Sequence, residues 1–393
     1  MKPEEYLEYL GRSSLGGRMA LAPELRKAIG IYSKAIVKAL YSQSGKDPDV
    51  SMLPDIWNPS YGPNAHFMTI RDEIIPFFKY TDRKKLKSVP IGEVYDLTPN
   101  GYAVSVPGGK GFVVCISCCL ITMLELINRT IISVNEQERL TQIYAYAASK
   151  GMHIIDAYIH SKSGDVSFPF PPKTSLEALE KSIGATELQL YFIVAHELSH
   201  VVKNHILNNS GVSLEKKRVQ ELEADRCAAE VVCPLMKKKG ITDNQIAAEI
   251  GLGAIGAIFY AGQAIFDFST IDKSLQSSYP SPEQRFATVI DYFRSKLSFS
   301  NILGTDLFMR PYALISHIAH FMRKDPLESV AWLSEIANEC RLMNDVPEEI
   351  YVLSLASVIA CKAGNNKVAD QIREYIDKTK QEHNIDFPIR GKD

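Results

Sequence analysis

The 393-residue chain lacks an excess of charge of either sign, a regular cysteine framework and any apolar segment near its start. Its 44 basic and 46 acidic residues leave a formal net charge of -2, which gives no reason to expect nucleic acid or an anionic membrane as partner. Seven cysteines are an odd number, and none falls in a framework spacing. Cys115, Cys118 and Cys119 lie in an apolar run where buried thiols are expected, so the reading is a reducing, cytoplasmic compartment. The opening MKPEEYLEYLGRSS has no apolar core, and a secretory signal is not expected there. Long apolar runs are scarce. Phe112 to Leu124 is too short to span a bilayer, and Ile250 to Phe266 is a marginal run of about 17 residues between Glu249 and Asp267, with Gln263 inside it. A buried helix is the preferred reading of that run over a membrane span. Gly108-Gly109-Lys110-Gly111 lacks the spacing and the Ser/Thr of a phosphate loop and reads as a turn.

What is present is an ordinary globular composition and a mostly helical texture. Pro23 to Tyr41 has apolar positions near a 3.6-residue period, and residues 48 to 67, with four prolines, read as irregular structure carrying His66 as a loop residue. From Pro90 the pattern becomes β-prone. Val94 to Leu97, Tyr102 to Val106 and Gly111 to Ile116 read as strands divided by Pro99-Asn100-Gly101 and Pro107-Gly108-Gly109 turns, and a helix follows from Cys118 to Ile127. Beyond it come a helical stretch at Glu136 to Lys150, a helix at Thr174 to Ile183 and a new helix starting at Thr186-Glu187. Ser213 can cap a helix running to about Leu235. Apolar residues 246 to 266 and the amphipathic Glu283 to Lys296 follow. Leu327 to Arg341, Pro347 to Ala363 and Asn366 to Gln381 read as antiparallel hairpins of a size resembling tetratricopeptide units. His317 and His320 in that last region read as packing or surface residues.

The chemistry concentrates in Tyr191 to Ile206, YFIVAHELSHVVKNHI. On a helix, His196 and His200 project from one face about one turn apart, and two neutral imidazoles so spaced can chelate one zinc ion. Glu197, one step round the helix, reaches a water at the metal without being a ligand. A hydrolytic zinc needs a third protein ligand and an open position. Glu221 and Asp225, in ELEAD, share a helix face. From His200 to the break at Asn208 is eight residues, and from Ser213 to Glu221 is also eight, so two antiparallel helices bring Glu221 level with His200. The roles follow: His196, His200 and Glu221 as ligands of one Zn2+, Glu197 as general base, and Asp225 orienting a ligand imidazole. Glu223 is the runner-up ligand.

Four pieces in order resemble the gluzincin peptidases of the HtpX and CAAX prenyl protease type: Asn100-Gly101-Tyr102-Ala103 with Pro107-Gly108-Gly109; VAHELSHVVKNH with its trailing His205; ELEADR at Glu221 to Arg226; and Tyr279-Pro280 with Arg285. The resemblance spans roughly residues 95 to 295 and implies a zincin-like core whose edge strand, around Tyr102 and Ala103, pairs with substrate backbone. It also implies that Tyr279 and Arg285 contact substrate or transition state. Tyr279 stands where the family has His, so an oxyanion role falls to its hydroxyl or to no residue there. The segment 128 to 185 is a long insertion, and the family's evident membrane helices are missing. That makes the chain similar in outline to a soluble variant such as the Lit-type phage-exclusion peptidases.

The expected fold class is therefore α+β, mostly α. It comprises an N-terminal helical region (1–90), a zincin-like metallopeptidase domain with a small sheet and two metal-binding helices (91–300), and C-terminal helical hairpins (306–393). The expected activity is zinc-dependent cleavage of a protein or peptide, with the C-terminal helices as a possible partner surface. The alternative is a helical-repeat interaction protein whose zinc site is structural or inactive.

Overall fold

A computed structural model of the chain describes residues 1–16, 63–94, 100–108, 111–135, 142–160, 175–206, 211–243, 245–269, 279–296 and 303–385. Three strands, β1 (Ile91–Val94), β2 (Gly101–Ser105) and β3 (Phe112–Ser117), form the sheet, and the other elements are helical. The expected helix at Pro23 to Tyr41 and the connection at FPFPP lie outside the described residues.

The chain divides into two units. The first comprises residues 1–125, 183–259 and 276–307. It opens with α1 (Pro3–Gly16), then α2 (Ala65–Ile74) and α3 (Tyr80–Lys87). Helix α2 corrects the irregular reading of residues 63–67: Asn64 is a cap, its Oδ1 accepting from the backbone N–H of His66 at 2.9 Å, so His66 sits in a first helical turn. In the sheet, β3 is central, parallel to β1 and antiparallel to β2, which leaves β2 at an edge. Strands β2 and β3 lie within a residue or so of their expected positions, whereas β1 starts three residues earlier than expected. On one face of the sheet, Leu7 of α1 packs with Val94, Val106, Val113 and Cys115, and the rings and methyls of Tyr102 and Val104 close over them.

The other face meets α6 (Leu176–Val202), the helix that carries the His-Glu pattern. Gly101 explains how close they come, since a Cβ there would lie 3.1 Å from Ile193 Cγ2 and 3.2 Å from Ile116 Cδ1. Helix α6 is continuous, which corrects the expected break between Ile183 and Thr186. Gly184 costs a helix about 1 kcal/mol, but Ala178, Ala185, Leu188, Tyr191, Phe192, Val194 and Leu198 are all buried, and their packing outweighs that penalty. Next comes α7 (Leu214–Lys238), capped as expected by Ser213, whose Oγ accepts from Lys216 N. Preceding α6 in the chain are α4 (Cys118–Asn135), longer than expected because Ile131 and Ile132 continue its buried face, and α5 (Gln142–His160). After α7 come α8 (Gln245–Ser269) and α9 (Pro282–Lys296). Within α8, Ala247–Asp267 is long and apolar enough to cross a membrane by length and composition, and 72% of its apolar window is buried in the protein.

The second unit comprises residues 126–182, 260–275 and 308–393. It includes most of α10 (Leu303–Lys324) and the hairpin helices α11 (Pro326–Leu342), α12 (Val346–Lys362) and α13 (Asn366–His383). These form the expected three-helix run with repeated punctuation. Asn344 and Gly364 take positive φ, and the next residues, Asp345 and Asn365, cap the following helices. Beneath α12 lies a buried ionic cluster. Glu348 Oε2 is 3.0 Å from His153 Nδ1 and 3.1 Å from Lys150 Nζ, while Asp345 Oδ2 accepts from Lys150 and from the Tyr146 hydroxyl at 2.7 Å each. The His153 ring stacks on Tyr351 with centroids 3.8 Å apart.

Burial opposes ionisation of Glu348, but His153 and Lys150 outweigh it and hold the carboxyl at about 2. Its folded pKa is thus below the ordinary unfolded value of about 4.3. The linked stability is fully present above that value and is lost as pH falls toward 2. Urea midpoints followed by Trp332 fluorescence in a Trp57→Phe background should therefore fall between pH 4.5 and 2. Glu348→Gln should lower the midpoint at pH 7 and flatten that acid limb. An unaltered acid limb would remove Glu348 from the account.

Candidate active site

Helices α7 and α9 and the part of α6 from Ile183 onward, all in the first unit, bring the chemistry together. Residues four apart on α6 put His196 and His200 on one face, where their Nε2 atoms lie 3.0 Å from each other. From α7, Glu221 places Oε2 3.3 Å from His196 Nε2 and Oε1 3.5 Å from His200 Nε2. Among the described residues these three make up the His/Cys/Asp/Glu group able to hold a metal ion, with one ligand atom from each lying within 4.8 Å of the others. Glu221 lies level with the two imidazoles as expected, although not through equal arms: α6 ends at Val202, two residues past His200, and the chain already reverses at Asn204.

The residues fit a tetrahedral cation of zinc type. Zinc bonds of 2.0–2.1 Å at tetrahedral angles separate neighbouring ligand atoms by about 3.3 Å; the two Nε2 atoms lie 3.0 Å apart, and each has a different Glu221 oxygen near that distance, at 3.3 and 3.5 Å. Glu221 Oε2 is buried, with His196 Nε2 as its near polar neighbour. Burial works against a charged His196, yet the Asp225 and Glu221 carboxylates outweigh it and raise its pKa to about 10. Burial and the neighbouring His196 instead push His200 down to about 3. Glu221 and Asp225 both stay ionised, because despite burial the facing His196 and Arg285 hold each below the carboxylate range.

Asp225, one turn beyond Glu221, is fully buried and lies 2.9 Å from His196 Nδ1. Arg285 from α9 donates to both of its oxygens, Nε to Oδ2 and Nη2 to Oδ1, at 2.7 Å each. The guanidinium lies over the Phe259 ring at 4.6 Å, and its Nη2 is 3.8 Å from Glu221 Oε2. Arg285, read from the resemblance as a substrate contact, thus holds the carboxylate that holds a ligand imidazole.

Glu197 is buried next to the cluster. Desolvation is the main influence on it and raises its pKa to about 7, partly offset by His196, Arg285 and a hydrogen bond from the Ala103 backbone N–H. The edge strand β2 therefore reaches the carboxylate through its main chain. The Tyr102 side chain, in contrast, lies with the α1 cluster on the other sheet face. Tyr279 bonds to the Asn100 side chain. Burial of its phenol end, followed by Glu221 and Glu197, pushes its pKa up to about 12, although 39% of the residue remains exposed. Arg285 lies 5.6 Å from the centroid of the Tyr279 ring. Glu223, the runner-up ligand, faces away from the cluster and toward His205. His66, His317 and His320 are exposed and stand outside the cluster.

A His-Glu-x-x-His helix with a carboxylate from a second helix is the arrangement of a metal-assisted hydrolase. Compared with known families, residues 167–301 match the model for Peptidase U49, which supports a peptidase. That segment contains α6, α7 and α9 with all of His196, Glu197, His200, Glu221, Asp225 and Arg285, and it leaves the sheet and the C-terminal hairpins outside. No curated protein and no solved structure matches the chain.

Removing the charge of Asp225 tests the support given to His196. In Asp225→Asn, zinc affinity measured by chelator competition should fall about 10–100-fold. Unchanged affinity would remove Asp225 from the metal centre.

Proposed function

We propose that the chain is a zinc-dependent endopeptidase with a zincin-like core of the gluzincin kind, in which His196, His200 and Glu221 hold one Zn2+ and Glu197 is the general base. The observation that carries this reading is the convergence of three metal-binding atoms within 4.8 Å with the Glu197 carboxylate beside them. Zinc at that position would supply a Lewis acid for the scissile carbonyl and would acidify a water toward neutrality.

The remaining work belongs to the chain. Glu197 takes the proton of the attacking water and delivers it to the leaving amine, and a pKa raised to about 7 by burial suits both directions of transfer. The Ala103 N–H fixes the Glu197 carboxylate, so the strand that would pair with substrate also orients the base. Arg285 and Asp225 hold the His196 ring in the orientation that leaves Nε2 free to bind metal. The Tyr279 hydroxyl, neutral well above pH 7, would be the donor to an oxyanion. Among the described residues three side chains converge as ligands, a number that suits a catalytic centre, whereas structural zinc sites carry a fourth Cys or His.

Glu197→Gln separates the base from the metal site. The variant should retain stoichiometric zinc while hydrolysis of a protein substrate falls by about 10²–10⁴-fold. Activity near wild type, or zinc lost along with activity, would contradict the assignment.

A further inference from the structure

Two groups beside the cluster have no part in the chemistry above: His205, just past the end of α6, and Glu223 on α7. His205 is buried, its Nδ1 lies 3.0 Å from His200 Nδ1, and its Nε2 lies 3.1 Å from Glu223 Oε2. The backbone is shaped to make this contact. Asn204 adopts the left-handed conformation with φ 58°, and the N–H of His205 returns to the His200 carbonyl at 3.0 Å. This is the reversal that ends many helices, and it folds the residue after it back against the last turn. Lys85 clamps the reversal, donating to the Val201 carbonyl at 2.7 Å and to Asn204 Oδ1 at 2.9 Å.

We propose that His205, backed by Glu223, is a positioning residue that fixes the tautomer and ring orientation of His200 for metal binding. The inference rests on the zinc reading above and follows from counting protons. A neutral His200 with Nε2 free for a metal carries its one proton on Nδ1. That N–H has His205 Nδ1 as its neighbour, which must then be the acceptor, so the His205 proton sits on Nε2. From there it donates to the Glu223 carboxylate. Only one assignment satisfies all three groups, and it runs in one direction, from the metal-binding nitrogen outward to Glu223. The rings of His200 and His205 meet at 69°, which suits an in-plane donor aimed at the edge of the next ring. The two imidazoles of the site are thus held differently. Asp225 faces His196 Nδ1 directly, whereas the carboxylate behind His200 Nδ1, Glu223, acts through a second imidazole.

The test is zinc affinity by chelator competition on the full-length protein, with the visible spectrum of the cobalt(II)-substituted form as a second readout. His205→Ala should bind zinc about 10–100-fold more weakly and should change the cobalt spectrum. His205→Asn places an amide oxygen where Nδ1 stood, and it should recover most of the lost affinity, which a merely structural role would not predict. Glu223→Ala, at a half-exposed position, should give a smaller loss in a fully folded protein. If His205→Ala does not fold, Glu223→Ala decides alone: weakened binding supports the relay and unchanged binding overturns it. Wild-type affinity in His205→Ala, or no recovery in His205→Asn, also overturns it. Wild-type protein without stoichiometric zinc would overturn the metal centre and this inference together, whereas zinc-loaded wild type with unaffected variants would overturn the relay alone.

Discussion

A buried carboxylate cannot stand alone, and Asp225 is entirely removed from water. Isolating such a charge in the protein interior would cost several kcal/mol, and removing one partner of a buried pair typically costs about 3–5 kcal/mol. The charge is therefore tied to its surroundings, and those surroundings are three separate helices. Arg285 reaches it from α9 with two hydrogen bonds, His196 faces it from α6, and Asp225 itself belongs to α7. Because its oxygens are committed on both sides, α7 has little freedom to slide along α6. That fixed register is what brings Glu221 level with His196 and His200. The convergence of His196, His200 and Glu221 follows from this clamp more than from those three residues themselves.

The sheet adds a second constraint. The close approach of Gly101 to Ile193 sets β2 against α6, and the Ala103 N–H then reaches Glu197. Glu197, edge strand and helix thus form one mechanical unit. A substrate strand added to β2 would be registered against the same main chain that orients the base. The matched family segment stops short of this sheet, so its place in the site comes from the fold and not from the match.

Much of the site was legible in the sequence because helical periodicity is a geometric rule. The His196-Glu197-x-x-His200 spacing needed only a 3.6-residue turn; Glu221 was found by counting equal arms that the structure does not have, since α6 ends at Val202. Strands β2 and β3 were legible because Gly and Pro bound them. The rest depended on interactions between residues distant in sequence, or on backbone states that composition does not reveal. Arg285 was read as a substrate contact because nothing local shows that its fork closes on Asp225. His205 was no more than a trailing residue until the positive φ of Asn204 turned it back toward His200. Gly184 suggested a break that buried packing overrides, and Pro63-Asn64 read as loop although Asn64 caps α2.

The central claim is that two imidazoles and one carboxylate on clamped helices hold a single catalytic zinc. Metal analysis of the purified protein combined with zinc-edge X-ray absorption tests it most directly. The account predicts one zinc per chain in a shell of nitrogen and oxygen that contains two imidazoles and no sulfur. Protein without stoichiometric metal, or zinc bound through cysteine sulfur, would contradict it.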